Sequence, residues 1–349
     1  MKSITIGSRT IGPGCPAYLI AEISANHHQD FDHAVRLVHA IKAVGADAVK
    51  LQTYTPDTLT IDCDAPEFRI GGGTIWDGRK LYDLYAEAYT PWEWQPKLKA
   101  IAGTLGLDLF STPFDASAVD FLEAMDVPAH KIASFEVVDL DLIRKVAQTG
   151  KPVILSTGMA SLAEIEDAVK AFCEAGGTQL ALLKCTSSYP APPYEINLRT
   201  IPHLSEAFGV PVGLSDHTLG ISVPIAAVSL GAYIIEKHFT LSRSEPGPDS
   251  AFSLEPTEFK AMVEGVRTAE KALGTVNYAV TGKEMASRAF RRSLFVVEDV
   301  KAGETFTSQN VRSIRPGYGL PPKQIAAVIC RRASCDIKRG TPLQWNLIA

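Results

Sequence analysis

Three lysines lie inside short runs of apolar, β-forming residues: Lys50 in Ala48–Tyr54 (AVKLQTY), Lys131 in Ala129–Ser134 (AHKIAS) and Lys184 in Leu180–Ser187 (LALLKCTS). An ammonium group buried in an apolar strand is unfavourable unless a carboxylate or a bound anion compensates it. Any one of them reads plainly as half of an ion pair with a carboxylate such as Glu22 or Glu236. Several converging at one end read better as an anion site. Hydroxyls stand at matching points of the neighbouring runs, namely Thr112, Ser134, Ser156, Ser187 and Ser215. Cations interleaved with hydroxyl donors suit a phosphate group. No glycine–lysine phosphate loop occurs, so a nucleotide is not indicated. His217 and His238 close two further runs, Val212–His217 (VGLSDH) and Tyr233–Phe239 (YIIEKHF). An imidazole pair on adjacent strands can hold a transition metal and leave positions open for water and substrate. Neither Ser156 nor Ser215 sits in a G-x-S-x-G elbow, which argues against serine-hydrolase chemistry. A lysine acting as a Schiff-base nucleophile is a rival reading.

These residues can act together only if their runs lie side by side. Eight such runs follow one another: Tyr18–Ser24, Ala48–Tyr54, Asp108–Pro113, Ala129–Ser134, Val153–Gly158, Leu180–Ser187, Val212–His217 and Tyr233–Phe239. Most are continuously apolar in their first half, as parallel strands covered on both faces are. Helical patterns separate them. Phe31, Ala34, Val35, Val38 and Ile41 recur at helical spacing before Gly45. Ser161 with Glu164 makes a capping-box pattern, and a long helix runs over Glu255–Leu273. Eight strands alternating with helices predict a (β/α)8 barrel, whose strand C-termini form the catalytic face. A doubly wound open sheet is the structural rival. Residues 275–289 read as a linker that ends a first domain, 1–285. Residues 290–349 read as a small β-rich domain from the runs Ser293–Val297, Thr305–Ser308 and Arg312–Arg315. Gly71-Gly72-Gly73 reads as a flexible loop, and Trp76, Trp92 and Trp94 as packing at the barrel top.

Composition narrows the classes. The chain has 349 residues, 46% of them hydrophobic, and a net charge of −5. That speaks against a broad nucleic-acid surface but leaves room for a local cationic pocket. No apolar run is long enough to span a membrane, and the N-terminal stretch lacks the apolar core of a signal peptide. Six cysteines without a CxxC pair predict free thiols and a cytoplasmic location rather than a disulfide framework.

The motifs AEISANH (21–27), KLQTY (50–54), FSTPFD (110–115), KIAS (131–134), ILSTGM (154–159), KCTSSYP (184–190), GLSDHT (213–218) and EKHF (236–239) together resemble the sialic acid synthase family. VKAGE (300–304) and SIRPGYGL (313–320) resemble its antifreeze-like SAF domain. The resemblance runs over essentially the whole chain in one order. IWDGRKLYDLYAEAYTPWEW (75–94) and KLQTYTPDTLT (50–60) resemble the pseudaminic acid branch, whereas EPGPD (245–249) looks more like the neuraminate branch.

The resemblance implies a (β/α)8 barrel followed by a SAF domain. It also implies condensation of phosphoenolpyruvate with an N-acetylated amino sugar, with release of phosphate. Residue by residue, it implies phosphoenolpyruvate binding by Lys50, Thr112, Lys131, Ser134, Ser156 and Ser215. Ser187 departs from the asparagine common in the neuraminate branch. A divalent metal (Mn, Mg or Co) would sit on His217 and His238, with Glu22 as the acid/base group. Asn26, Trp76, Glu136, Tyr189 and Asp249 would contact the sugar. Arg315 would reach the site of a partner subunit in a domain-swapped homodimer. The acceptor would be 2,4-diacetamido-2,4,6-trideoxy-L-altrose, with N-acetylmannosamine or the legionaminic acid precursor as alternatives. A non-catalytic carbohydrate- or ice-binding protein is a rival suggested by the C-terminal motifs alone.

Overall fold

The structure, a computed structural model, describes residues 2–245 and 247–349; Pro246, within the EPGPD motif, lies outside the described residues. The chain divides into two compact units, 1–274 and 275–349.

The first unit opens with a hairpin of β1 (Ile4–Ile6) and β2 (Arg9–Ile11). Eight parallel strands then close into a barrel: β3 (Tyr18–Glu22), β4 (Ala48–Thr53), β5 (Asp108–Pro113), β6 (His130–Ile132), β7 (Val153–Ser156), β8 (Leu180–Cys185), β9 (Val212–Asp216) and β10 (Ile234–His238). Each strand is followed by a helix, from Phe31–Ala43 after β3 to Pro256–Leu273 after β10. The sheet closes where β10 pairs with β3, His238 opposite Glu22. Closure excludes the open doubly wound sheet. Local signals match the helix starts. Asp30 accepts from the backbone N–H groups of Asp32 and His33, and Ser161 and Glu164 form a reciprocal capping box.

Strand alternation sorts the barrel into two apolar layers. Leu19, Ala21, Val49, Leu51, Leu182 and Leu214 face the helices. Tyr18, Ile20, Ala48, Phe110, Ile154, Ala181, Leu183 and Ile234 fill the interior. Ile4, Ile6 and Ile11 of the hairpin join that inner cluster and cover its N-terminal end. The period of two then carries each inner column upward. Above Ile20 stands Glu22, above Ala48 Lys50, above Phe110 Thr112, above Ile154 Ser156, above Leu183 Cys185 and above Ile234 Glu236. The interior is therefore apolar at the bottom and ionisable at the top. Gly213 lies in this interior; a Cβ there would come within 2.3 Å of the Ile234 carbonyl oxygen.

In the second unit, β11 (Ser293–Val296) pairs antiparallel with β12 (Val311–Ile314). Leu294, Val296, Val300, Phe306, Val311, Ile337 and Leu343 form its own core. Thr305–Ser308, expected as a strand, contributes only a single bridge from Thr305 to Arg332. Among the described residues no helix is long and apolar enough to cross a membrane, and all six cysteines are unpaired.

Candidate active site

The polar top of the inner columns is a compact ionic cluster. Lys50 Nζ lies 2.6 Å from Glu22 Oε2 and 3.8 Å from Glu236 Oε1, and it donates to Thr112 Oγ1 at 3.2 Å. Lys131 Nζ lies 3.6 Å from Glu236 Oε1, which also accepts from Ser215 Oγ at 3.1 Å. Two lysines and two carboxylates thus share one water-poor volume. Several of their polar atoms have no hydrogen-bond partner: Glu22 Oε1, Glu236 Oε2 and Ser156 Oγ. Buried polar atoms are normally paired, so such orphans point to groups a ligand completes. Ser134 and Ser187 extend the cluster. Ser134 Oγ accepts from the Gly158 N–H at 3.1 Å. A Cβ on Gly158 would lie 2.4 Å from Ser187 Oγ and 2.8 Å from Ser134 Oγ. These hydroxyls and one backbone amide therefore surround a small concavity that any larger side chain at 158 would fill.

Burial raises the Glu22 carboxyl to about 7 against the opposing pull of Lys50. For Glu236 the same burial is outweighed by Lys131 and Lys50, and its carboxyl is held below the usual range. Burial lowers Lys131, while Glu22 and Glu236 more than offset burial at Lys50 and raise it. Two carboxylates in one site are thus pushed in opposite directions, a pattern that separates a proton carrier from a permanent charge. A carboxyl raised on folding stabilises the native state while protonated. That contribution is full below about pH 4.5 and is lost as pH rises to about 7. The melting temperature of the native chain minus that of Glu22→Gln is expected to fall across this window and to level off above it. A difference that rises with pH would overturn the assignment.

Beside the cluster, the His217 and His238 rings stand 5.4 Å apart. His217 Nδ1 lies 3.0 Å from the Thr186 carbonyl oxygen, to which it donates, so Nε2 is the nitrogen left to face a ligand; against the effect of burial, Cys185 and the hydrogen bonds raise this ring above the usual histidine value. Burial, then His217 and the nearby lysines, keeps His238 well below the usual histidine value, so it is neutral, and its buried Nδ1 has no partner. A pinned imidazole next to a neutral, partly unsatisfied one fits a metal-ligand pair. Cys185 faces inward here, its Sγ 3.9 Å from His217 Nδ1. Burial pushes this thiol up, but His217 and its hydrogen bond bring it down to about 7.

Over the cluster opens a cavity of about 360 Å³. Gln52, His238, Ser24 and Asp249 form its polar edge; Ile70, Trp76, Leu81, Leu84, Tyr85, Phe135 and Phe252 form an apolar wall. Much of that wall comes from the long excursion after β4. Gly73 N–H and Thr74 N–H donate to the Asp77 carboxylate, which turns the glycine stretch back on itself. Trp76 then donates to the Pro248 carbonyl oxygen at 2.9 Å and packs on Tyr189. Tyr189 in turn lies 4.3 Å, centre to centre, from the His217 ring. Asp249 accepts from Ser24 Oγ and from the Ala25 N–H. Glu136 stands near Lys131, raised to about 7 by burial, with Oε2 unpartnered.

The structure thus gathers Glu22, Lys50, Thr112, Lys131, Ser134, Ser156, Ser187, Ser215, His217 and His238 at one end of the barrel, with Trp76, Tyr189 and Asp249 on the cavity above. One expectation needs correction. Lys184 points out of the inner column and donates to the Cys185 carbonyl and to Thr186, so two strand lysines converge, not three. Lys237, one place from Glu236, likewise faces the outer layer, paired with Asp216. Asn26, expected on the sugar, is fully buried with its amide donating to the Phe239 carbonyl and Ser253 and accepting from Ser250. It ties two loops together and does not line the cavity. Glu236, considered only as an ion-pair partner, is the central anion between both lysines. Trp92 and Trp94 pack as expected, on Phe121 and on His27 with Phe31. Arg315 is exposed, immediately after β12 of the second unit.

Comparison with known proteins places this arrangement. The NeuB family model matches residues 37–278. The chain belongs to the NeuB family. A SAF domain model matches residues 291–349. This NeuB chain is 46% identical to the pseudaminic acid synthase of Helicobacter pylori, over 94% of its own length and 96% of that protein's. It is 46% identical to the pseudaminic acid synthase of Campylobacter jejuni serotype O:2, over 94% and 95% of the two chains. Among solved structures, the N-acetylneuraminic acid synthetase of Leptospira borgpetersenii, crystallised with citrate, aligns with a TM-score of 0.73 at 32% identity, covering 82% of this chain and 95% of that one.

Proposed function

We propose that this chain is a pseudaminic acid synthase. It condenses phosphoenolpyruvate with 2,4-diacetamido-2,4,6-trideoxy-L-altrose to a nine-carbon 2-keto sugar acid and releases inorganic phosphate. One observation carries the reading: a two-lysine, hydroxyl-rich cluster with orphaned buried atoms sits at the barrel mouth beside an apolar cavity whose polar edge includes Gln52 and His238. The first half suits a small phosphorylated carboxylate. The second suits a sugar carrying a methyl and two acetamido groups in place of hydroxyls. The 46% identity to two pseudaminic acid synthases supports the same product.

In this reading Lys50, Lys131, Thr112, Ser134, Ser156, Ser187 and Ser215 hold phosphoenolpyruvate. Gly158 lets its N–H and the Ser134 and Ser187 hydroxyls close on the phosphate. Trp76, Tyr189, Asp249 and Glu136 orient the sugar. C3 of phosphoenolpyruvate bonds to the aldehyde carbon, whose oxygen takes a proton. Water adds at C2, giving up one proton; the C2–O bond then breaks with its electron pair on the phosphate, and the C2 hydroxyl loses its proton to leave the keto group. A divalent ion on His217 and His238, Mn, Mg or Co, would supply Lewis-acid polarisation of the aldehyde. Glu22, titrating near neutrality, moves a proton at the aldehyde oxygen or at the incoming water. Its unpartnered Oε1 supports that role.

The test is phosphate release from phosphoenolpyruvate with each candidate sugar, with and without chelator. The altrose should give the highest kcat/KM, and chelation should remove activity. A clear preference for N-acetylmannosamine would overturn the acceptor. Phosphate-independent turnover with a borohydride-trapped lysine adduct would point to a Schiff-base aldolase instead.

Arg315 carries a proposal of its own: it serves the site of a second copy of the chain in a domain-swapped dimer. Its exposure and its lack of an ion-pair partner among the described residues leave it available. Mixed dimers of Arg315→Ala and Glu22→Ala chains should then regain part of the activity that each variant lacks alone. Confirmed mixed dimers without recovery would argue for a site completed within one chain.

A further inference from the structure

Two further histidines lie outside the reaction described above. His28 belongs to the loop after β3, and His33 to the first turn of the helix Phe31–Ala43. Their rings are nearly perpendicular with centres 4.9 Å apart. Both Nε2 atoms are buried and have no hydrogen-bond partner. Both point at one oxygen: Glu245 Oε2, from the loop after β10, lies 3.7 Å from each. The His33 side chain is only 7% exposed, so its orphaned nitrogen is aimed into a dry space rather than at solvent.

We infer that His28, His33 and Glu245 form a second metal site, for a first-row transition ion and Zn²⁺ foremost. Two imidazoles and a carboxylate with a fourth position left for water is a ligand set that zinc adopts, whereas magnesium prefers oxygen alone. The three donor atoms lie within 4.8 Å of one another. Ligand distances of about 2.1 Å in a tetrahedron need donors about 3.4 Å apart, so small side-chain adjustments close the site. Glu245 can make them, being half exposed on a loop. His28 is held on its other side, since a Cβ on Gly247 would lie 2.7 Å from its ring.

One contact opposes the ion. Arg36 Nη2 lies 3.2 Å from His33 Nδ1. An arginine can only donate, so this contact needs the Nδ1 lone pair and puts the proton of a neutral ring on Nε2. Metal binding through Nε2 reverses that tautomer, and the exposed Arg36 side chain must turn away into water. Arg36 is thus a built-in competitor.

The ion would clasp the loop after β3 to the loop after β10. These loops already meet through Ser24–Asp249 and Asn26–Ser253. Asp249 lies four residues beyond Glu245 and lines the cavity, so the clasp would fix one wall of the acceptor pocket.

The site is tested with full-length protein stripped of metal and titrated with Zn²⁺ by calorimetry, and with Co²⁺ by its visible absorption. His238→Ala serves as background, so that the barrel-mouth histidine pair does not contribute. One equivalent should still bind. Adding His33→Ala, His28→Ala or Glu245→Gln should weaken it at least tenfold, and Arg36→Ala should tighten it. Glu245 is exposed, so that variant keeps the test valid should a histidine variant fail to fold. Absence of a saturable site in the folded His238→Ala protein overturns the inference, as does unchanged affinity in Glu245→Gln together with His28→Ala. Neither outcome bears on phosphate release by the native chain, which tests the proposed function separately.

Discussion

His238→Ala is expected to lower kcat by at least a thousandfold while the barrel still melts cooperatively. The argument rests on what the ring does and does not hold. His238 closes β10 beside His217, and its Nδ1 bonds to nothing in the protein. Its removal therefore breaks no internal hydrogen bond through that atom. What disappears is half of the proposed two-imidazole ligand pair. A Lewis acid supplies several kcal/mol of transition-state charge stabilisation. At about 1.4 kcal/mol per tenfold in rate, that is roughly a thousandfold or more. The measurements are phosphate release at saturating substrates, with circular dichroism to establish folding. Near-native turnover from a folded His238→Ala protein would remove the metal from the mechanism.

Lys131→Met should separate stability from binding. Lys131 is buried and lies 3.6 Å from Glu236. Breaking a buried pair by deleting one partner costs about 3–5 kcal/mol. The lower end applies, because Lys50 and the Ser215 hydroxyl still face Glu236. The KM for phosphoenolpyruvate should rise about a hundredfold, as expected for losing one charge-assisted contact to the ligand. Pairing the change with Glu236→Gln removes the uncompensated carboxylate. The double variant should recover most of the denaturation midpoint and none of the turnover. A KM unchanged in Lys131→Met would exclude that lysine from the anion site.

Much of this site was legible in the strand motifs, because a parallel barrel puts every strand end on one face. The lysines show where legibility stopped. Both faces of β8 are apolar, so its period-two signal is silent, and Lys184 and Cys185 are equally plausible inward residues. Closure of the sheet decides for Cys185. The tie made by Asn26 is hidden for a different reason. It follows a strand and is polar, but its partners Ser250 and Ser253 are more than two hundred residues away. Glu236 was visible as an ion-pair partner, yet its central place requires Lys50 and Lys131 to approach from different strands. The hairpin was missed because strands of three residues carry almost no pattern. The apolar cavity wall escaped notice because Ile70, Leu81 and Leu84 meet only once the excursion after β4 has folded back.

The equal number of lysines and carboxylates at the barrel mouth has a thermodynamic consequence. A site with two ammonium and two carboxylate groups is already neutral, so the proposed substrate, a trianionic phosphoenolpyruvate, would bring an excess of negative charge into a dry volume. Glu22, poised near 7, is the group best placed to discharge that excess by protonation. Ligand capture then draws protons from solution, and its apparent heat depends on the ionisation enthalpy of the buffer. Under the proposed function, binding of the substrate would thereby generate the acid form of Glu22 before the chemistry begins.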